Sequence, residues 1–257
     1  MDKGFPNHTG RVLSMTSIII AVHNSLEYTK QCIQSVRDHS RDYELIVIDN
    51  ASGDETADWL TDQDDVTVLR NDANVGFPIS VNQGAARAAG DHLCLLNNDC
   101  IVTPGWLDRL LACMGKHRVD IVGPVTNICW GRQQIHTGDY DPLTDLPLVS
   151  QGVHYKFRGQ FEYANFIIGF CMLMTREVFK ASGPFDERYG IGNYEEIDFC
   201  ISARTLGYRL GFTKDVFIHH YGQVTMKELG IDQQRLSTEN LGKLLDKWQL
   251  HRGAIGS

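Results

Sequence analysis

Hydrophobic and polar positions follow two alternating periods through the first hundred residues. The run Ser-Ile-Ile-Ile-Ala-Val at 17–22 is β-branched and almost free of polar side chains, the pattern of a strand buried on both faces. Residues 26–38 carry a helical period, 44–49 (Glu-Leu-Ile-Val-Ile-Asp) read as a second strand, 55–60 as helix and 66–69 as a short third strand. Residues 78–89 are alanine-rich, open on Pro78 and stop at Gly90, which predicts a helix with proline in its first turn and glycine beyond its end. A fourth strand at 92–96 follows. Strand alternating with helix in this way predicts an α/β protein built on a parallel sheet.

The second half is less regular. Helices are expected at 105–116, 176–182, 195–206 and 237–249, and strands beginning at 121–122 and spanning 170–175 and 216–219. Residues 127–165 mix aromatics, glycine, proline and polar groups without a clear period, as a functional loop region or a poorly ordered one does. Residues 1–14 are polar and aperiodic, a loose leader. The expected organisation is one domain over 15–225, with a regular half at 15–103 and a second half at 104–225, followed by a helical tail at 226–257.

Composition narrows the class. At 257 residues, 42 % hydrophobic and 22 % charged, the chain can bury a sizeable core. Its 24 basic against 32 acidic residues give a net charge of −8, so it lacks the basic footprint of a nucleic-acid binder. The seven cysteines are odd in number, widely spaced and without a C-x-x-C pair, which argues against a disulfide framework or structural zinc. The apolar run at 18–22 is too short for a membrane span and follows no signal-peptide pattern. A reducing cytoplasm is the expected location, with peripheral contact at the inner membrane face left open.

Ligands of open parallel sheets bind beyond the carboxyl ends of the strands. Each of the first four predicted strands ends in polar residues: His23-Asn24 after the first, Asp49-Asn50-Ala51-Ser52-Gly53-Asp54 after the second, Asn74-Val75-Gly76-Phe77 after the third, Asn97-Asn98-Asp99 after the fourth. Any one of these serves equally as a turn; four along one sheet edge point to a site. No G-x-G-x-x-G, G-x-x-x-x-G-K-[ST] or G-x-S-x-G occurs, so a nucleotide here is held by side chains and a metal rather than a glycine cradle.

These segments, in this order, resemble family 2 glycosyltransferases of the GT-A fold, and most of all a bacterial rhamnosyltransferase-like subgroup with an N-N-D metal motif and a late H-H-x-G. The resemblance runs from Ser17 to Thr225 and includes Gly183-Pro184-Phe185-Asp186-Glu187, Asn193-Tyr194-Glu195-Glu196-Ile197-Asp198-Phe199 and His219-His220-Tyr221-Gly222. It implies a Rossmann-like nucleotide-sugar half with a mixed central sheet, and an acceptor-binding, catalytic half. Asp99 then ends the metal motif and holds Mn²⁺ or Mg²⁺, with Asn97 and Asn98 beside the donor. Asp49 accepts from the imide N–H of a uracil or thymine ring, His23, Asn24 and Glu27 line the base and ribose pocket, and Asn74, Gly76 and Asn82 lie on the ribose and phosphate side. Glu196 takes the place of the family's catalytic aspartate, oriented by Glu195 and Asp198. Of His219 and His220, which face opposite sides of a strand, one joins the metal, with His220 favoured. Asp186, Trp130 and Arg132 are acceptor-side residues, among the aromatics Tyr155, Phe157, Phe161 and Tyr163.

The expected activity is inverting, metal-dependent transfer of a sugar from a UDP- or dTDP-linked donor to a hydroxyl of a glycan, lipid-linked sugar or protein. A sugar-phosphate nucleotidyltransferase is the competing enzyme reading, but the loop after the first strand has neither the glycines nor the basic residues such enzymes place there. A non-catalytic nucleotide- or carbohydrate-binding module is the third. Oligomeric state is not legible from the chain.

Overall fold

The computed structural model describes residues 15–222 and 229–249; the expected leader, and the parts of the expected tail at 226–228 and 250–257, lie outside them. Nine strands and eight α-helices are described: β1 (Thr16–Val22), α1 (Leu26–His39), β2 (Tyr43–Asn50), α2 (Thr56–Thr61), β3 (Val66–Asn71), α3 (Phe77–Arg87), β4 (His92–Leu96), β5 (Cys100–Ile101), α4 (Trp106–His117), β6 (Ile121–Thr126), α5 (Leu146–Phe157), β7 (Phe161–Tyr163), β8 (Cys171–Thr175), α6 (Arg176–Ser182), α7 (Glu195–Thr205), β9 (Leu210–His220) and α8 (Gln233–Trp248). The sheet order is β3-β2-β1-β4-β8-β6-β9-β5, with β7 also paired to β9. Strands β1 to β4 are parallel. The sheet becomes mixed at β8, which runs antiparallel between β4 and β6.

The uninterrupted apolar strands are explained by two cores, one on each face. Ile18, Ile20, Val22, Leu45, Val47, Cys94 and Leu96 point to the side covered by α1 and α4. Ile19, Ile46, Ile48, Leu93 and Leu95 point to the side covered by α3, α5, α6 and α7. The period of two is thus present but hidden, because both faces are buried. All seven cysteines are free. No helix among the described residues is long and apolar enough to cross a membrane.

Two elements inside the aperiodic 127–165 stretch, α5 and β7, have no clear sequence signal. Helix α5 buries only Leu146, Ser150 and Val153, while Leu148 and Tyr155 on the same helix are exposed, so its apolar stripe is blurred. Strand β9 begins at Leu210 rather than at 216. The polar Thr213-Lys214-Asp215 segment conceals its first half, where Thr213 and the backbone N–H of Gly159 both donate to Asp215.

One glycine fixes how the two halves meet. Gly76, with φ +87°, caps α3, and a Cβ there would stand 2.0 Å from the Gly190 carbonyl oxygen. Both the backbone conformation and the close approach require glycine. Gly76→Ala is expected to destabilise the fold by more than about 2 kcal/mol, visible as a lower thermal midpoint; an unchanged midpoint would refute this packing argument.

Candidate functional site

A cleft of about 760 Å³ opens at the carboxyl ends of β1, β2 and β4, where the polar loops gather. The order of β2, β1 and β4 puts the first strand in the middle, so the connections to either side leave in opposite directions and part over the cleft. The lining includes His23, Asn74, Gly76, Asn97, Asn98, Asp99, Trp130, Glu195, Glu196 and His220 from among the residues singled out in the sequence. Strand β8 enters from the opposite direction and contributes Gly169 and Phe170 at its start.

The metal-type pair is made by strand register. The two-residue β5 pairs antiparallel with the end of β9, aligning Cys100 with His220 and Ile101 with His219. That pairing carries Asp99 to His220, whose Nε2 lies 3.2 Å from the Asp99 Oδ1. His220 Nδ1 sits 3.0 Å from the Ile128 carbonyl, an acceptor only, so Nδ1 donates there and Nε2 is the ring nitrogen turned toward Asp99. Nε2 has no hydrogen bond of its own. Burial lowers the His220 pKa, but the Asp99 carboxylate outweighs it and leaves a net rise. The Cys100 Sγ lies within the same cluster, but burial drives that thiol well above its ordinary pKa, keeping it protonated. With its Nε2 deprotonated, that imidazole and the buried carboxylate make a donor set that suits Mn²⁺ or Mg²⁺ completed by phosphate oxygens. His219 faces the other way: its Nδ1 meets the Tyr140 hydroxyl at 2.5 Å, and burial followed by the neighbouring His220 lowers its pKa to about 4.

Glu195 and Glu196 open α7 on the same cleft. Glu195 is buried, and its carboxyl is pushed well above the usual range by burial and then by the charge of Glu196. Burial also raises Glu196, against the backbone N–H groups around it. One oxygen of each carboxylate, Oε2, has no hydrogen-bond partner. Neither lysine nor arginine lines the cleft among the described residues.

Other residues marked in the sequence stand outside the cleft, and their bonds explain why. Asn82 donates to the Phe185 carbonyl and Glu187 and accepts from the Phe185 N–H, joining α3 to the 183–187 segment. Asp198 accepts from Lys247 and Trp248, anchoring α8. Asp186 binds Arg188 and Lys247, which hold its carboxyl below the usual range. Arg132 pairs with Glu162. Glu27 is exposed and paired with Lys30. Asn24 ties the β1 loop to the β2 loop, accepting from Gly53 N–H at 2.7 Å and donating its own N–H to the Ser52 hydroxyl at 2.8 Å. Asp49 is fully buried behind these loops; Oδ1 accepts from Ser52 N–H, whereas Oδ2 has Arg70 at 3.4 Å and no hydrogen bond.

The cleft also includes residues that sequence reasoning passed over: Ile128, Ile168, Ile191, Gly192, Leu229 and Ser237. Gly169, directly before an apolar strand, carried a signal; Ser237 on α8 carried none. Helix α8 docks into the fold instead of trailing from it, for Leu244 is fully buried against Tyr189 and Ile197.

Against known proteins, the profile described as glycosyl transferase family 2 matches residues 17–183. The glycosyltransferase AglE of Haloferax volcanii is 23% identical over 243 residues, covering 90% of this chain and 76% of its own. Among solved structures, GalNAc-T7 with UDP, GalNAc and Mn²⁺ superposes with a TM-score of 0.64 at 20% identity, over 82% of this chain and 44% of the other. The mannosyltransferase PcManGT of Pyrobaculum calidifontis with GDP-Man and Mn²⁺ gives 0.60 at 16% identity, over 80% and 56%. This chain thus spans about three quarters of AglE and about half of the two solved chains. The fold they share is GT-A.

Proposed function

The chain belongs to glycosyl transferase family 2, and from that premise we propose that it transfers a sugar from a nucleoside diphosphate donor, UDP- or dTDP-linked, to an acceptor hydroxyl with inversion. The observation that carries the reading is the meeting, in one cleft, of a carboxylate held at raised pKa and a buried carboxylate–imidazole pair. Mn²⁺ in GalNAc-T7 and PcManGT supports a divalent cation here.

In this mechanism Asp49, buried behind the joined β1 and β2 loops, offers the base imide its Oδ2, which faces Arg70 at 3.4 Å and makes no hydrogen bond, and His23 lines the adjoining cleft. Asn74 shapes the phosphate-side loop by accepting from the Gly76 N–H. Asp99 and His220 would hold the cation, which when bound supplies positive charge against the leaving diphosphate. Glu196 takes the proton from the acceptor hydroxyl as it attacks the anomeric carbon opposite the phosphate. Its raised pKa suits that task, because a base works best when its pKa nears the working pH. Burial is what holds it there, and Glu195 is buried beside it. Residues 15–225 together with α8 are read as the unit that does this chemistry.

Trp130 supplies an acceptor platform. It is 55 % exposed at the cleft and stacks parallel to Phe166, ring centroids 5.4 Å apart at 8°. One face is thus held by packing and the other is free for the apolar face of a sugar ring. Trp130→Ala is expected to raise the acceptor KM about tenfold, the ~1.4 kcal/mol of a stacked ring, with donor KM unchanged; an equal rise in donor KM would move the residue to the donor side.

The test of the function is a panel of UDP-, dTDP- and GDP-sugars with Mn²⁺, read by diphosphate release and by the anomeric configuration of the product. Retention would overturn the direct-displacement mechanism. Pyrophosphate-dependent consumption of a nucleotide sugar would favour the nucleotidyltransferase reading, and tight binding without turnover a binding module.

A further inference from the structure

The two glutamates follow a backbone turn that few sequences adopt freely. Residues 190 and 192–194 all have positive φ: Gly190 62°, Gly192 139°, Asn193 78° and Tyr194 74°. For asparagine and tyrosine this region is strained, and such a conformation persists only where the surroundings hold it. The nucleotide half holds one side of the turn, where Phe77 N–H donates to the Ile191 carbonyl at 3.3 Å.

The other side is held from α8 by a single amide. Asn240 is fully buried, and its Nδ2 reaches the carbonyls of Tyr189 at 2.9 Å, Gly192 at 2.7 Å and Asn193 at 3.2 Å. Its Oδ1 accepts from Lys243 Nζ at 2.7 Å, and the same ammonium donates to the Arg188 carbonyl at 2.7 Å. Lys243 thereby orients the amide so that both of its N–H groups face the turn. Helix α8 is itself anchored one turn further on, where Lys247 and Trp248 both donate to Asp198 of α7 at 2.7 Å. The turn, the start of α7 and α8 thus form one hydrogen-bonded unit, with Tyr194 and Glu195-Glu196 on its cleft side. The family profile ends at 183, before any part of this unit.

We propose that Asn240 is a positioning residue for sugar transfer: its buried amide holds the 189–194 turn in the shape that presents Glu196 to the cleft. It acts through the turn and touches no substrate. The proposal rests on Glu196 being the base, so its test separates the two ideas.

Full-length wild type, Asn240→Ala and Lys243→Ala are compared by amide hydrogen exchange and by kinetics on whichever donor the panel finds active, with sites counted by UDP titration in Mn²⁺. In Asn240→Ala, exchange in peptides covering 189–196 is expected to quicken at least about tenfold while those of β1 and β4 stay unchanged. The kcat per UDP-binding site falls about 100-fold, as misplacing a reacting group by an ångström does, and the UDP Kd stays within about twofold. Lys243→Ala, on the exposed face of α8, shifts both quantities the same way by less. A merely structural Asn240 would lower the number of UDP-binding sites and leave kcat per site at the wild-type value, and that result overturns the proposal. So does unchanged exchange in the turn. If Asn240→Ala loosens β1 and β4 as well, Lys243→Ala decides: a faster turn with reduced kcat supports the proposal, and wild-type values refute it. Wild-type protein that turns over no donor refutes the transferase reading instead, and the exchange data then judge the clamp by themselves.

Discussion

Glu196→Gln is expected to abolish sugar transfer while leaving nucleotide binding intact. The substitution keeps the side chain's length and removes its capacity to accept a proton. General-base catalysis contributes about 10²–10⁴-fold, so kcat falls by that factor and the Kd for UDP with Mn²⁺ stays at the wild-type value. The pH profile gives a second reading of the same residue. Glu196 must be ionised to act, and burial lifts its pKa above the usual carboxylate range; the rate therefore rises with pH through that raised value and is lost below it. Glu195 titrates beside it, so the profile reports apparent values of the pair. Glu196→Gln is expected to erase this acidic limb from the residual rate. Near-normal turnover in that variant would remove Glu196 from the mechanism.

The second large effect is expected at Asp99. Asp99→Ala takes away the buried carboxylate and leaves His220 with no counter-charge for its Nε2. Removing even an outer-shell partner weakens a metal site by about 10–100-fold, and loss of the carboxylate is expected to exceed that. Nucleotide binding, measured by calorimetry with Mn²⁺ and again after chelation, then drops in the variant to the level of chelated wild type. Wild-type binding that is indifferent to chelation would overturn the metal assignment.

Much of this site is legible along the chain because its nucleotide side is local. Each polar loop directly follows the strand that positions it, so Asn74, Gly76 and Asn97 to Asp99 come to the cleft by virtue of chain order alone. A polar residue near a motif has two possible partners, a ligand or a distant part of the fold. The family resemblance marks Asn82, Asp186 and Asp198 for the site, and in the structure each is bonded to a partner remote in sequence. Chain order does not reveal such partners, since a hydrogen bond between distant segments leaves no period behind.

The histidines show the boundary between the two kinds of information. Alternation along a strand, a local property of extended backbone, already dictates that His219 and His220 face opposite ways. Which of them meets Asp99 depends on the register between β5 and β9, and register is set by packing across the sheet. By itself, then, the sequence determined the alternating α/β architecture, the edge where ligand-binding loops collect and the acids available there, because hydrophobic periodicity and turn chemistry act over a few residues. Only the tertiary structure decided that His220 faces Asp99, that Glu196 rather than Asp198 opens on the cleft, and that a C-terminal helix braces the turn before it. Those outcomes come from contacts between segments far apart in the chain, whose geometry exists only once both cores are packed.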